Sequence, residues 1–218
     1  MLKIVIFDSG YGGEFFADRL EQELPVVEVI RVIDWRHASE LGSGSKTAKK
    51  IIKDNLRPYI GKVDLIFFAN YLISATSLKY FKRKYQNQKF LGLKLELPAG
   101  QRKQSMLILT TKPVTKTINY YNYLFRLGHH RIKTISLDSW PLKIDNGELT
   151  EDEIRKTILP QLKDTPRGVI IACAQFYDIR PELKKILGHS TSVYDNFSGP
   201  IRDICKILKI RGGLKKIK

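Results

Sequence analysis

Short, wholly apolar runs alternate with amphipathic stretches along almost the entire chain. LKIVIF (2–7), VEVIRVI (27–33) and VDLIFFA (63–69) have the length and β-branched or aromatic content of buried strands. The stretches GEFFADRLEQEL (13–24), KTAKKIIKDNLRPYI (46–60) and ISATSLKYFKRKY (73–85) that follow them place apolar residues at helical spacing. A polar, turn-rich segment, ELPAGQRKQ (96–104), interrupts the pattern, which then restarts. Strands are predicted at SMLILT (105–110), RIKTISL (131–137), GVIIACA (168–174) and STSVYD (190–195). Helices are predicted at VTKTINYYNYLFRL (114–127, closed by Gly128), TEDEIRKTILPQL (150–162), RPELKKIL (180–187) and SGPIRDICKIL (198–208). Regular strand–helix alternation implies parallel sheets with helices packed on both faces. The expected fold is therefore α/β, with two similar three-layer α/β/α halves, mostly parallel sheets and a cleft shared by the halves. Residues 1–97 with 196–218 make the first half and 98–195 the second, the joint falling near Leu97 to Lys103. In such sheets ligands gather beyond the carboxyl ends of the strands.

Composition changes this picture little. With 218 residues and 43% hydrophobic content the chain can bury a core in each half. No apolar run reaches the length of a membrane helix, and the apolar start ends at Asp8, so it reads as a strand and not a signal peptide. Two cysteines, Cys173 and Cys205, give neither a disulfide framework nor a zinc spacing, which points to a reduced, cytoplasmic protein without a metal. Cys205 lies at helical spacing with Ile201, Ile204 and Leu208 and reads as core.

Charge is the unusual property: 38 Lys and Arg against 22 Asp and Glu leave +16. Two local clusters stand out, KYFKRKYQNQK (79–89) and the tail KILKIRGGLKKIK (206–218). Neither sits in a nucleic-acid-binding module, and the first fits a helix with Leu78, Phe81 and Tyr85 inward and Lys outward. Solvated basic faces are the preferred reading, and a basic nucleic-acid-binding protein on this fold is the alternative.

Several positions carry chemistry by their place in this pattern. Asp8 and Ser9 in DSGYGG stand at the carboxyl end of the first strand, where a glycine turn into a helix offers backbone N–H groups to an anion. Gly42, Gly44 and Ser45 form a flexible loop before the second helix that could cover a ligand, without Walker-type spacing. Cys173 closes an apolar run as a lone thiol, and VDLIFFANYLIS (63–74) has the same shape with Ala69 in the thiol's place. Trp35 and Trp140 follow strands and are expected to line the cleft, whereas His129 and His130 read as a solvated pair at a helix end.

Four of these stretches together resemble the aspartate/glutamate racemases, whose motifs are VFDSGxGG, YGSKS, ACNTAS and CTHYP. The corresponding segments here are IFDSGYGG, GSGSKT, FANYLIS and ACAQFY, in matching strand–helix context, with VYDNFSGPI near the end. The resemblance implies a cofactor-independent enzyme in which two cysteines flank a substrate Cα, one removing a proton as thiolate and the other supplying one. A free thiol, with pKa about 8.5, needs help to do so; in the family an aspartate of DSG assists one thiol and the histidine of CTHYP the other.

Carried onto this chain, Asp8, Ser9, Asn70 and Cys173 match, whereas the first cysteine is Ala69, its threonine is Tyr71, the second threonine is Ala174 and the histidine is Gln175. The family tyrosine before the second helix falls on Ser43. An amide cannot take up the proton a histidine would, and a methyl group can neither give nor accept one. Three functions follow. The first is a racemase-like protein without two-cysteine racemisation that binds a small carboxylate such as an amino acid, or a partner, in the cleft. The second is a one-cysteine enzyme using Cys173, as in the arylmalonate decarboxylases, which resemble these racemases; a single acid suffices there. The third is an isomerase in which Tyr71 or Asp8 replaces the missing base. The expected catalytic residues are Cys173 and Asp8, with Ser9, Gly42, Ser43, Gly44, Asn70, Tyr71, Ala174 and Gln175 as substrate-binding positions. No cofactor, no metal and no membrane partner is expected, and pairing of family members allows a homodimer.

Overall fold

A computed structural model describes residues 1–95, 104–127, 131–195 and 197–210. The chain forms two compact units, Met1–Lys94 with Phe197–Lys218, and Leu95–Asn196. The expected joint at 97–103, the pair His129 and His130, and the end of the basic tail lie outside the described residues.

In the first unit the elements run β1 (Leu2–Asp8), α1 (Tyr11–Glu23), β2 (Val27–Ile33), a 3₁₀ turn (Trp35–His37), α2 (Ala38–Leu41), α3 (Lys46–Leu56), β3 (Leu65–Phe68), α4 (Tyr71–Lys84) and β4 (Phe90–Gly92). The sheet is parallel in the order β2-β1-β3-β4. Strand alternation splits its side chains between two faces. Val5, Phe7, Ile66 and Phe68 meet Ile52 and Leu56 of α3 and Ile73 and Phe81 of α4. On the other face, Phe67 stacks on Phe16 of α1, with ring centroids 4.4 Å apart. Phe16 also meets Phe197 edge-on, just before the helix Ser198–Leu208, which buries Ile201, Ile204 and Cys205 as its spacing predicts.

The second unit runs β5 (Met106–Thr110), α5 (Lys112–Thr115), α6 (Ile118–Leu127), β6 (Ile132–Ser136), α7 (Trp140–Asp145), α8 (Glu151–Ile158), a 3₁₀ turn (Leu159–Gln161), β7 (Gly168–Ile171), a second 3₁₀ turn (Ala174–Tyr177), α9 (Arg180–Leu187) and β8 (Ser192–Tyr194); α10 is the returning helix, Ser198–Leu208. Its sheet is also parallel and repeats the first order, β6-β5-β7-β8.

The departures from the sequence pattern have local causes. The helix expected over 114–127 is two helices, because Thr117 caps the second: its hydroxyl and carbonyl both accept from the Tyr120 N–H. The stretch 150–162 tightens to 3₁₀ geometry at Leu159, where Pro160 cannot donate to the helix ladder. Strand β7 stops at Ile171, so Cys173 lies past its end. Trp140 does not line an opening: it is 2% exposed, packed edge-on against Phe176 in the core of the second unit.

Candidate functional site

The most organised polar group of the first unit stands at the carboxyl end of β1. Asp8, only 3% exposed, accepts at Oδ1 from the Ser9 N–H at 2.5 Å and from Asn70 Nδ2 at 3.0 Å. The Asn70 amide also donates to Ser9 Oγ at 3.1 Å, while its Oδ1 accepts from the Leu72 and Ile73 N–H groups at 2.9 and 3.2 Å. Asn70 is thus the N-cap of α4 and the clamp on Asp8 at once, both ends of its amide committed. Burial pushes the Asp8 carboxyl up to about 6, against the opposing pull of the Ser9 and Asn70 hydrogen bonds. Helix α1 is pressed onto this carboxylate. A Cβ on Gly13 would collide with Asp8 Cβ and lie 2.8 Å from Ile33 Cδ1, so only glycine permits the approach.

The β1–β3 register pairs Phe7 with Phe68. Continued by one residue, it sets Asp8 beside Ala69, both side chains on one face of the sheet. Ala69 is fully buried, and its N–H donates to the Phe7 carbonyl at 2.9 Å. A methyl group therefore flanks Asp8 at the position where the motif resemblance expects a thiol. Tyr71 follows as the first residue of α4, half-buried.

The glycine loop serves the fold. Gly42 packs against Leu72, and Gly44 has φ +68° with space for a Cβ only 2.7 Å from Thr76 Cβ, so the loop lies along the first turns of α4. Ser43 Oγ bonds to Ser45 Oγ at 3.1 Å, and Ser45 caps α3 through the Ala48 N–H at 3.0 Å. Among the described hydrogen bonds none joins Gly42, Ser43 or Gly44 to the Asp8–Ser9–Asn70 group.

In the second unit Cys173 is half-buried at the start of the 3₁₀ turn, in extended backbone. Its Sγ donates to Gln175 Oε1 at 3.1 Å, and Ala174 is the first residue of the turn. Strand register corrects the comparison of the two halves: Ala172, not Cys173, is the counterpart of Ala69, since the two make the same N–H bond to the central strand, to Leu109 and Phe7. Cys173 corresponds to Asn70, and each precedes a helical turn. The sequence reading missed Thr110, which occupies the place in β5 that Asp8 holds in β1. Its hydroxyl is fully buried with no hydrogen-bond partner among the described residues, a cost of about 1–3 kcal/mol. The signal was available, because Thr110 ends an apolar strand as Asp8 does.

Asp34, at the end of β2, accepts from His37 Nδ1 at 2.9 Å and from Asn55 Nδ2 at 2.8 Å. Burial works to raise its pKa, but these bonds prevail and hold it below the usual carboxylate value. Among the described residues no group of three His, Cys, Asp or Glu side chains is placed to hold a metal ion, and no helix is long and apolar enough to cross a membrane.

No family model matches the chain. A curated glutamate racemase from Clostridium perfringens is 23% identical over 220 residues, spanning 94% of this chain and 83% of its own length. Another, from Buchnera aphidicola, is 25% identical over 236 residues, spanning 99% and 87%. Among solved structures, Escherichia coli glutamate racemase in complex with L-glutamate and the activator UDP-MurNAc-Ala matches with a TM-score of 0.82 at 19% identity, over 96% of this chain and 83% of that one. An allantoin racemase from Klebsiella pneumoniae matches at 0.61 and 16%, over 96% and 88%. The expected fold of two racemase-like α/β halves is therefore the observed one.

Proposed function

From the premise that this chain is a member of the aspartate/glutamate racemase family, which full-length sequence likeness and fold support, we propose that it binds a small carboxylate of the amino-acid type and has given up ordinary two-cysteine racemisation. One observation carries the proposal. The aspartate that would assist a thiol is kept, buried and clamped by Ser9 and Asn70, and the group beside it is the methyl of Ala69. A racemase of this kind needs one proton carrier on each side of Cα, and alanine is none. Ligand binding is supported by the neighbours: the Escherichia coli enzyme was solved with L-glutamate and the Francisella tularensis enzyme with D-glutamate. The test is proton NMR in deuterated buffer with each enantiomer of glutamate and aspartate. The expected outcome is shifted ligand resonances with no deuterium entering Cα. Exchange at an enzyme-like rate would end the proposal.

A second reading rests on Cys173. Its sulfur donates to Gln175 Oε1, an amide oxygen that does not act as a base. That suits a group whose task is to give a proton to a carbanion. In the decarboxylation of a disubstituted malonate the C–C bond to the departing carbon dioxide breaks, its electron pair stays on carbon, and the thiol protonates that carbon; water then restores the thiol. The measurement is carbon dioxide release from such malonates, expected to vanish in Cys173→Ala. Turnover surviving the substitution removes the thiol from the chemistry.

A further inference from the structure

The fold assembles a basic surface that the linear sequence divides. Residues 42–90 hold eleven Lys and Arg against two Asp, +9 of the chain's +16. On α3, Lys46, Lys49, Lys50, Lys53 and the following Arg57 recur at spacings of three and four, a stripe away from the buried Ala48, Ile52 and Leu56. From Lys46 to Arg57 it runs about 16 Å. On α4, Lys79, Lys82, Arg83 and Lys84 are all exposed. The two helices lie side by side on one face of the first sheet, since both pack on Val5, Phe7, Ile66 and Phe68. Tyr80 of α4 joins the stripes: Lys49 stands 5.5 Å and Lys84 5.3 Å from its ring centroid.

The density of unneutralised charge sets this face apart. Elsewhere several cations are paired: Arg31 meets Glu14, Asp18 and Glu21, Lys143 meets Glu153, and Lys185 meets Glu151. Cations outside the described ion pairs, such as Lys116, Lys133 and Lys163, are spread along the chain. The described ion pairs include none of the nine cations of the α3–α4 face. Asp54 is the one acidic residue on α3 and α4, so the nine like charges repel one another, and an anionic partner relieves that repulsion. The face also lacks the apolar groups with which a protein enters a lipid interface; between residues 42 and 90 the one described exposed large hydrophobic residue is Tyr80, whose ring holds two ammonium groups.

We propose that the α3–α4 face binds double-stranded nucleic acid through its phosphate backbone, without reading sequence. A duplex presents one negative charge per about 1.7 Å of its length, dense enough to meet such a stripe along its whole extent. This proposal is independent of the reading of the Asp8 group.

The experiment is fluorescence anisotropy with a labelled 20-base-pair DNA duplex, from 50 to 200 mM NaCl. Three full-length proteins are compared: the native chain, a face variant (Lys46→Gln, Lys50→Gln, Lys53→Gln, Lys82→Gln, Arg83→Gln) and a control of equal net charge (Lys116→Gln, Arg126→Gln, Lys133→Gln, Lys163→Gln, Lys184→Gln). Thermal melts verify that all three fold. If about five phosphates are neutralised, the native affinity falls roughly 500-fold across that range of salt. The face variant loses the binding and nearly all of the salt slope, and the control keeps a slope within about one of the native value. Equal losses in both variants, no native binding at 50 mM NaCl, or tighter binding to vesicles of mixed phosphatidylcholine and phosphatidylserine than to the duplex would each overturn the proposal.

Discussion

At Asp8 burial and charge oppose one another. Its carboxyl is raised from 3.8 to about 6 by burial, so between those values the folded state binds a proton that the unfolded chain has released. Stability from this group therefore falls as pH rises through that window, and its ionised form costs the fold about 3 kcal/mol above pH 6. Replacing Asp8 by Asn keeps an acceptor for the Ser9 N–H and removes the charge. The expected result of Asp8→Asn is a higher melting temperature than the native protein at pH 8 and little difference at pH 4. Melts that differ equally at the two pH values would show that the charge is not what burial penalises. The Ser9 N–H and the Asn70 amide offset part of that cost by donating to the carboxylate.

At the scale of elements, most of the architecture was legible because each strand is a wholly apolar run and each helix an amphipathic one. The unread elements are the short ones. Strand β4 is three residues, Phe90–Gly92, too short for a periodicity, and it exists because Phe90 joins the core formed with Phe68 and Phe81. Helix α7 begins at Trp140, whose burial in the second unit came from packing against Phe176 and not from its own segment. The Asp8–Ser9–Asn70 group was legible as a set of residues only through the family motifs. Nothing in the spacing of 62 positions between Asp8 and Asn70 says that they bond; parallel pairing of β1 and β3 creates that adjacency. The equivalent pairing of β5 and β7 shows that Cys173 corresponds in place to Asn70, one residue away from the match that the two apolar runs suggest. The α3–α4 basic face escaped for a related reason. The cluster at 79–89 was visible, but the α3 lysines became part of it only when both helices packed on one sheet face.

For the whole molecule, the net charge is a property of one unit more than of the chain. Residues 1–94 with 197–218 carry 23 Lys and Arg against 11 Asp and Glu, whereas residues 95–196 carry 15 against 11, giving +12 and +4. Self-repulsion of like charges opposes the compact state and is screened by salt with a Debye length of about 10 Å at 0.1 M. The two units should therefore respond differently to ionic strength. In native-state hydrogen exchange, raising NaCl from 20 to 300 mM is expected to slow opening of β1 and β3 by about tenfold and that of β5 and β7 by much less. Chloride serves here because phosphate or sulfate would add binding to screening. A uniform response of both sheets, or faster exchange in β1 and β3 at high salt, would mean that the cations of the first unit are already compensated within the fold. Among the described residues no ion pair lies on α3 and α4, and this, against the threefold pairing of Arg31 on the opposite side of the same sheet, argues for the unequal response.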